Sequence, residues 1–158
     1  MTLYKWLDGN QACNGGTGRW QKNRWRSVTG DLIPCEHGLH LCRVQDLSRW
    51  VGPTLWLAEH DGELIEQDDK VVVRRARITE RLLWDDRLAR LFAADCAERV
   101  LPIFENEGSG DDRPRLAIQA GRDYANGLID DAAQAATGAA EREWQGNRLL
   151  DYAYGRIA

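Results

Sequence analysis

KVVVRRARITERLLWDDRLARLF, residues 70–92, changes its period half-way through. Val71 and Val73 alternate with their neighbours, and Ala76 and Ile78 continue the alternation in the opposite phase. A run of β-branched residues at period two predicts a strand, and the slip of phase predicts a bulge or a second half that faces another way. From Trp84 onward the spacing is three and four. Leu88, Leu91, Phe92, Cys96, Val100, Ile103 and Phe104 fall on one helical face. Asp85 and Asp86 occupy the first turn, where the helix dipole favours carboxylates, and Pro102 should kink or end the helix. The switch near residue 80 therefore predicts an α+β protein. A small, mostly antiparallel sheet comes first, followed by a three- to four-helix bundle.

Before the switch, glycine breaks the chain into short apolar runs. TLYKWL at 2–7 predicts a strand, and NGGTG at 14–18 a loop. GLHLC at 38–42 predicts a buried strand. In RVQDLSRWV, Val44, Leu47 and Val51 recur at helical steps, with Pro53 as the stop. TLWLAEH and GELIEQ predict two strands joined at Asp61-Gly62, a strong turn pair. After the switch, Asp111 or Asp112 suits an N-cap, Pro114 a first turn and Asn126-Gly127 a C-cap. An alanine-rich segment from Ile129 to Ala153 predicts one more helix, or two joined near Gly138. The expected division is 1–80, β-rich and tryptophan-rich, and 81–158, helical, packed together as one unit.

With 43% apolar and 29% charged residues, the composition is that of a soluble globular protein. No stretch of 18 apolar residues suggests a membrane span, and the N-terminus lacks a signal-peptide pattern, so the expected location is the cytoplasm. Residues 1–79 carry 11 Lys/Arg against 10 Asp/Glu, whereas residues 80–158 carry 10 against 15. An acidic second half argues against general nucleic-acid binding and suits a partner with a basic patch.

PCEHGLHLC, residues 34–42, holds two of four cysteines and two of three histidines. Cys35, His37, His40 and Cys42 are weak metal candidates, because the paired spacing of zinc sites is missing. They converge only if Gly38 turns the chain tightly, and a second pair would have to come from Cys13, His60 or Cys96. The plainer reading makes Cys35 and Cys42 small buried residues and His40 a core or cleft histidine. A Cys nucleophile is disfavoured, since neighbours on one strand seldom meet. RWQKNRWR at 19–26 interleaves Trp20 and Trp25 with four basic residues, the composition of a single-strand binder. Anchoring of the loop by its tryptophans is the favoured alternative. Asp95 and Arg99 lie one turn apart. Asp95 among Phe92, Ala94 and Cys96 predicts a partly buried carboxylate clasped by Arg99, Arg113 or Arg122.

LYKWL, PCEHGLHLC, LWLAEHDGEL and DDKVVVRRARI resemble, in that order, a family of short phage, prophage and bacterial proteins. The likeness rests on Tyr4, Lys5, Gly38, His40, Cys42, Ala58, Glu59, Gly62, Asp69, Lys70, Val71 and Val72. LARLFAADCAERVLP, DDRPRLAIQAGRDYANG and EREWQGNRLL resemble a helical module of phage and actinobacterial proteins. They are also similar to an immunity-protein family of polymorphic toxin systems. The resemblance implies mobile elements and conflict between phage and host, with no established catalytic residue. Two functions follow as expectations. One is a protein without catalysis or cofactor that binds a host or phage protein and blocks a defence system through an acidic helical surface: Asp111, Asp112, Asp130 and Asp131, with Trp20 and Trp25 as further binding candidates. Neutralisation of a toxin belongs to the same class. The other is an NAD-using enzyme, because the order of elements echoes ADP-ribosyltransferases. In that reading Tyr4 or His40 would hold the nicotinamide half of NAD, and Glu59 or Glu63 would polarise the ribose.

Overall fold

Two long antiparallel strands, β5 (Thr54–Glu66) and β6 (Val71–Arg81), form the spine of the first unit. The computed structural model describes residues 1–106 and 111–134, and the chain divides into units at 1–85 and 86–158. Around the spine lie β1 (Leu3–Asp8), β2 (Gln11–Ala12), β3 (Arg26–Ser27) and β4 (Leu39–Leu41). The sheet order is β2-β1-β5-β6-β3, and β4 pairs with β6 beside β3. A reciprocal pair of backbone hydrogen bonds, 2.9 and 2.8 Å, joins Tyr4 on β1 to Cys42 just after β4. The sheet thus curls until β4 meets β1. Inside the curl lie Leu3, Leu7, Trp20, Leu39, Leu41, Ala58, Val71, Val73, Ala76 and Ile78.

Both halves of β6 feed this one cluster, so the phase slip does not send the second half elsewhere. The register slips twice: Asp61 faces Arg75 and Leu64 faces Val73, which leaves one extra residue on β5, and Leu57 faces Glu80 while Ala58 faces Ile78, which leaves Thr79 extra on β6. The expected turn at Asp61-Gly62 is therefore a bulge within one continuous strand. Gly62 has φ +80°, a conformation that a turn and a glycine bulge both demand. The true reversal is at Asp68-Asp69, where Gln67 N–H donates to Lys70 C=O at 2.9 Å.

Val44–Arg49 forms a 3-10 helix, but its apolar stripe does not carry it. Val44 and Val51 are exposed, and the buried residue is Asp46, 1% accessible. Its carboxylate accepts from the backbone N–H of Arg43 at 2.9 Å and from that residue's guanidinium at 2.8 and 3.2 Å. Arg43 also reaches Glu66 and the carbonyl of Gln67, tying the 3-10 turn to the end of β5. A buried charge needs this full set of partners, and the pair outweighs the apolar pattern.

In the second unit α1 (Asp86–Asn106) and α2 (Arg113–Ala125) pair antiparallel. Arg87 near the start of α1 bonds Asn126 at the end of α2, and Glu105 at the end of α1 bonds Arg115 near the start of α2. The stripe Phe92, Cys96, Val100 and Ile103 lies exposed, while Ala94 and Leu101 are buried. The buried positions of α1 are thus a small alanine and a leucine outside the expected stripe. Helix α1 runs on through Pro102 to Asn106 instead of ending there. Asp112 occupies the N-cap position of α2 without a capping hydrogen bond from its side chain, while Asp111 Oδ1 accepts from Arg113 N–H at 3.0 Å. At the other end of α2 Gly127 (φ +70°) donates to Tyr124 C=O and Leu128 N–H to Asp123 C=O, the left-handed cap expected of Asn126-Gly127. Residues 131–134 are helical, with Asp130 Oδ1 accepting from Ala133 N–H at 2.9 Å. The predicted break near Gly138, the Glu-Trp-Gln motif and the side chain of Phe104 lie outside the described residues.

Candidate functional site

The Pro34–Cys42 stretch forms a tight turn, then β4. Glu36 N–H donates to Ile33 C=O at 3.0 Å, with Pro34 and Cys35 at the corners. Cys35 has φ +69°, the left-handed position that a type II turn normally gives to glycine. Its N–H donates to Nε2 of His40 at 3.2 Å. Gly38 has φ +146°, and a Cβ there would lie 2.3 Å from Cγ1 of buried Val72. The turn does not gather four ligands. His37 Nε2 is engaged by Thr29 C=O at 2.8 Å, Cys35 is exposed and Cys42 is buried. Among the described residues no group of three or more His, Cys, Asp and Glu is placed to hold a metal ion.

The turn forms one wall of a cavity of about 380 Å3 within the first unit. Its other walls come from Lys5 and Trp6 on β1, Cys13 and Asn14 in the glycine loop, Trp20, Trp50 and Lys70. Burial pushes the Cys42 thiol up to about 11 and raises Cys13 as well, so both are protonated at neutral pH and are poor nucleophiles. Burial lowers His40, and the nearby ammonium groups of Lys5 and Lys70 add to it. Burial is also the largest influence on Lys5 and lowers it. For Lys70 burial works against the charge, but hydrogen bonds to Asp69 at 3.0 Å and to Cys35, with the charges of both, together outweigh it and raise the group.

Lys5, Trp50 and Lys70 were not among the residues expected to form a site. One signal was available for Lys5: Leu3, Lys5 and Leu7 share a parity on one strand, and both leucines are buried. A lysine at a core-facing position calls for a reason.

The other candidates of this unit do not assemble. Glu59 pairs with Arg77 and Glu63 with Arg74, in a ladder that also joins Asp61 to Arg75. Tyr4 and His40 belong to β1 and β4, at the closing edge of the curl. Trp20 is 2% accessible and belongs to the core, with Lys5 and Arg26 over its ring. Trp25 lies under two guanidinium groups, Arg75 at 4.5 Å and Arg77 at 4.7 Å. Trp20 is thus withdrawn into the core, and Trp25 is half-buried beside these arginines.

In the helical unit Arg122 of α2 bonds both Asp95 and Glu98 of α1 at 2.7 Å. Asp95 is thus clasped by Arg122, one of the three partners expected, but at an exposed site and not a partly buried one. The hydrogen bonds from Arg122 hold Glu98 below its ordinary range. Asp111 accepts from the N–H and the guanidinium of Arg113, which lowers its carboxyl in the same way. Asp130 caps the next helix, and a hydrogen bond with Asp131 raises the Tyr124 hydroxyl. Arg90 covers the Tyr124 ring at 4.8 Å. The segment so knitted has known relatives. Residues 85–143 match the family model described as "Imm-5 like putative immunity protein".

The match begins at the foot of α1 and includes both helices, the Arg122 clasp and the four aspartates singled out in the sequence. It spans less than half of the chain and none of the curled sheet. No curated protein matches the chain, and no solved structure does. The immunity-type resemblance of the helical half is thereby supported, and it favours a protein partner. No helix among the described residues is long and apolar enough to cross a membrane.

Proposed function

We propose that this chain is an immunity-type protein that binds and neutralises a protein toxin in the cytoplasm of the cell that makes it. The match of residues 85–143 to the Imm-5 like model carries the reading. It moves the expectation away from inhibition of a host defence system and towards toxin neutralisation within the same class of binding protein. The contact surface that fits best is the outer face of α1. Val100 and Ile103 stand exposed there, 55% and 66% accessible. Apolar side chains on a surface helix favour burial against a partner. Asp95, Glu98, Glu105 and Asp111 are answered by arginines of the same unit, which reduces the acidic field open to a partner.

The test is co-expression of the full chain with the toxin domain encoded beside it. Growth should be restored, and the two proteins should co-elute. Val100→Asp and Ile103→Asp should abolish both effects while the helical circular dichroism is kept. Restoration of growth without co-elution would oppose a binding mechanism, and no restoration would oppose the immunity reading.

A further inference from the structure

The cavity in the curled sheet lies outside the matched helical segment and has its own chemistry. At about 380 Å3 it falls within the size range of small-ligand sites. Trp6 and Trp50 contribute to its walls, and both have their polar atom engaged elsewhere. Trp6 Nε1–H donates to Leu47 C=O at 3.2 Å and Trp50 Nε1–H to Asp69 C=O at 2.8 Å. What these rings present to the cavity is hydrocarbon and π surface.

The walls carry one carboxylate, the exposed Glu36, beside the donors of Lys5, Lys70 and His40. Lys5 Nζ has three protons, one of which goes to His40 C=O at 2.8 Å. No carboxylate among the described residues forms an ion pair with it, whereas the neighbouring Lys70 is held by Asp69. His40 accepts at Nε2 from the Cys35 N–H, so the neutral ring carries its proton on Nδ1 and is a donor there. A cation withdrawn from water without a counter-charge is unfavourable, and an anion brought into the cavity would supply one. The strained Cys35 turn, held through His40, fixes this wall.

We propose that the cavity binds a small organic anion with a flat apolar body, an aromatic or heteroaromatic monocarboxylate, paired through its carboxylate to Lys5 and packed against Trp50. The inference is independent of the helical unit and of toxin neutralisation.

The experiment titrates the full chain with 2-naphthoate and, separately, with the neutral 2-naphthamide, by calorimetry and by quenching of tryptophan fluorescence. Naphthoate should bind and naphthamide should bind about tenfold more weakly, the factor expected for loss of a charge-assisted hydrogen bond. Lys5→Met should erase that preference, and Lys70→Met, whose ammonium is already paired, should keep it. The comparison of the two ligands on the unaltered chain remains decisive even if Lys5→Met fails to fold. Equal affinity for acid and amide, no heat or quenching at about 1 mM of either, or a preference that survives in Lys5→Met would each overturn the proposal.

Discussion

A methyl group at Gly38 would meet Cγ1 of Val72 at 2.3 Å, in a backbone conformation that side chains avoid. Val72 is fully buried and cannot move aside cheaply. Gly38→Ala should therefore lower stability by about 2–3 kcal/mol, read as a shifted urea midpoint. Asp46 gives a second prediction at this scale. Its burial pushes the carboxyl up, but the guanidinium and N–H of Arg43 outweigh burial and hold it below its ordinary range. Unfolded, the group titrates near about 3.9, so the stabilisation is complete above that pH. It is lost as the pH falls through the lower, folded value. Asp46→Ala should destabilise by about 3 kcal/mol at pH 7, and the gap from the unaltered protein should close in acid, as urea titrations at pH 7 and below pH 3 would show. Of these residues Gly38 was legible as punctuation. Asp46 was not, because one acidic residue in a helical stretch reads as a solvated one until its partner Arg43 and its burial are seen.

Among the elements, β5 and α1 departed furthest from their patterns. Asp61-Gly62 has turn chemistry, and the chain uses that chemistry for a bulge because β6 runs alongside both halves of β5. Gly62→Ala should cost about 1 kcal/mol from its φ alone, since open space surrounds the new methyl group. The reading as a tight turn would predict instead that pairing beyond residue 62 is lost, and hydrogen exchange at Leu64 and Ile65 separates the two. In α1, Pro102 is exposed and removes the N–H that would bond the carbonyl of Glu98. Pro102→Ala should raise stability by about 1 kcal/mol or more, visible as a higher melting temperature of the helical signal. The helical period itself was legible from Leu88 to Ile103. Which stripe would be buried was not, because hydrophobicity ranks Phe92 and Val100 above Ala94, whereas Ala94 is the buried one.

For the whole molecule the two binding properties proposed here fall on separate units. The immunity reading belongs to the helices and the anion site to the curled sheet. Reversing the clasp with Arg122→Glu would set three carboxylates together and should lose toxin neutralisation, and the double exchange Glu98→Arg with Arg122→Glu should recover part of it, scored by growth beside the toxin. Lys5→Met should leave neutralisation unchanged. By itself the sequence determined the α+β class, the change of texture near residue 80, the C-cap of α2 and the immunity-type resemblance, because periodicity, cap chemistry and family motifs are local properties of the chain. The tertiary structure alone decided that β4 closes on β1, that Asp46 is buried with Arg43, that the Cys and His residues of 34–42 do not converge, and that Lys5 shares a cavity with three indoles. The closure of β4 on β1 and the cavity around Lys5 depend on residues tens of positions apart, and even the local Arg43–Asp46 pair is tied to the sheet by distant contacts with Glu66 and Gln67. No local pattern encodes such a meeting.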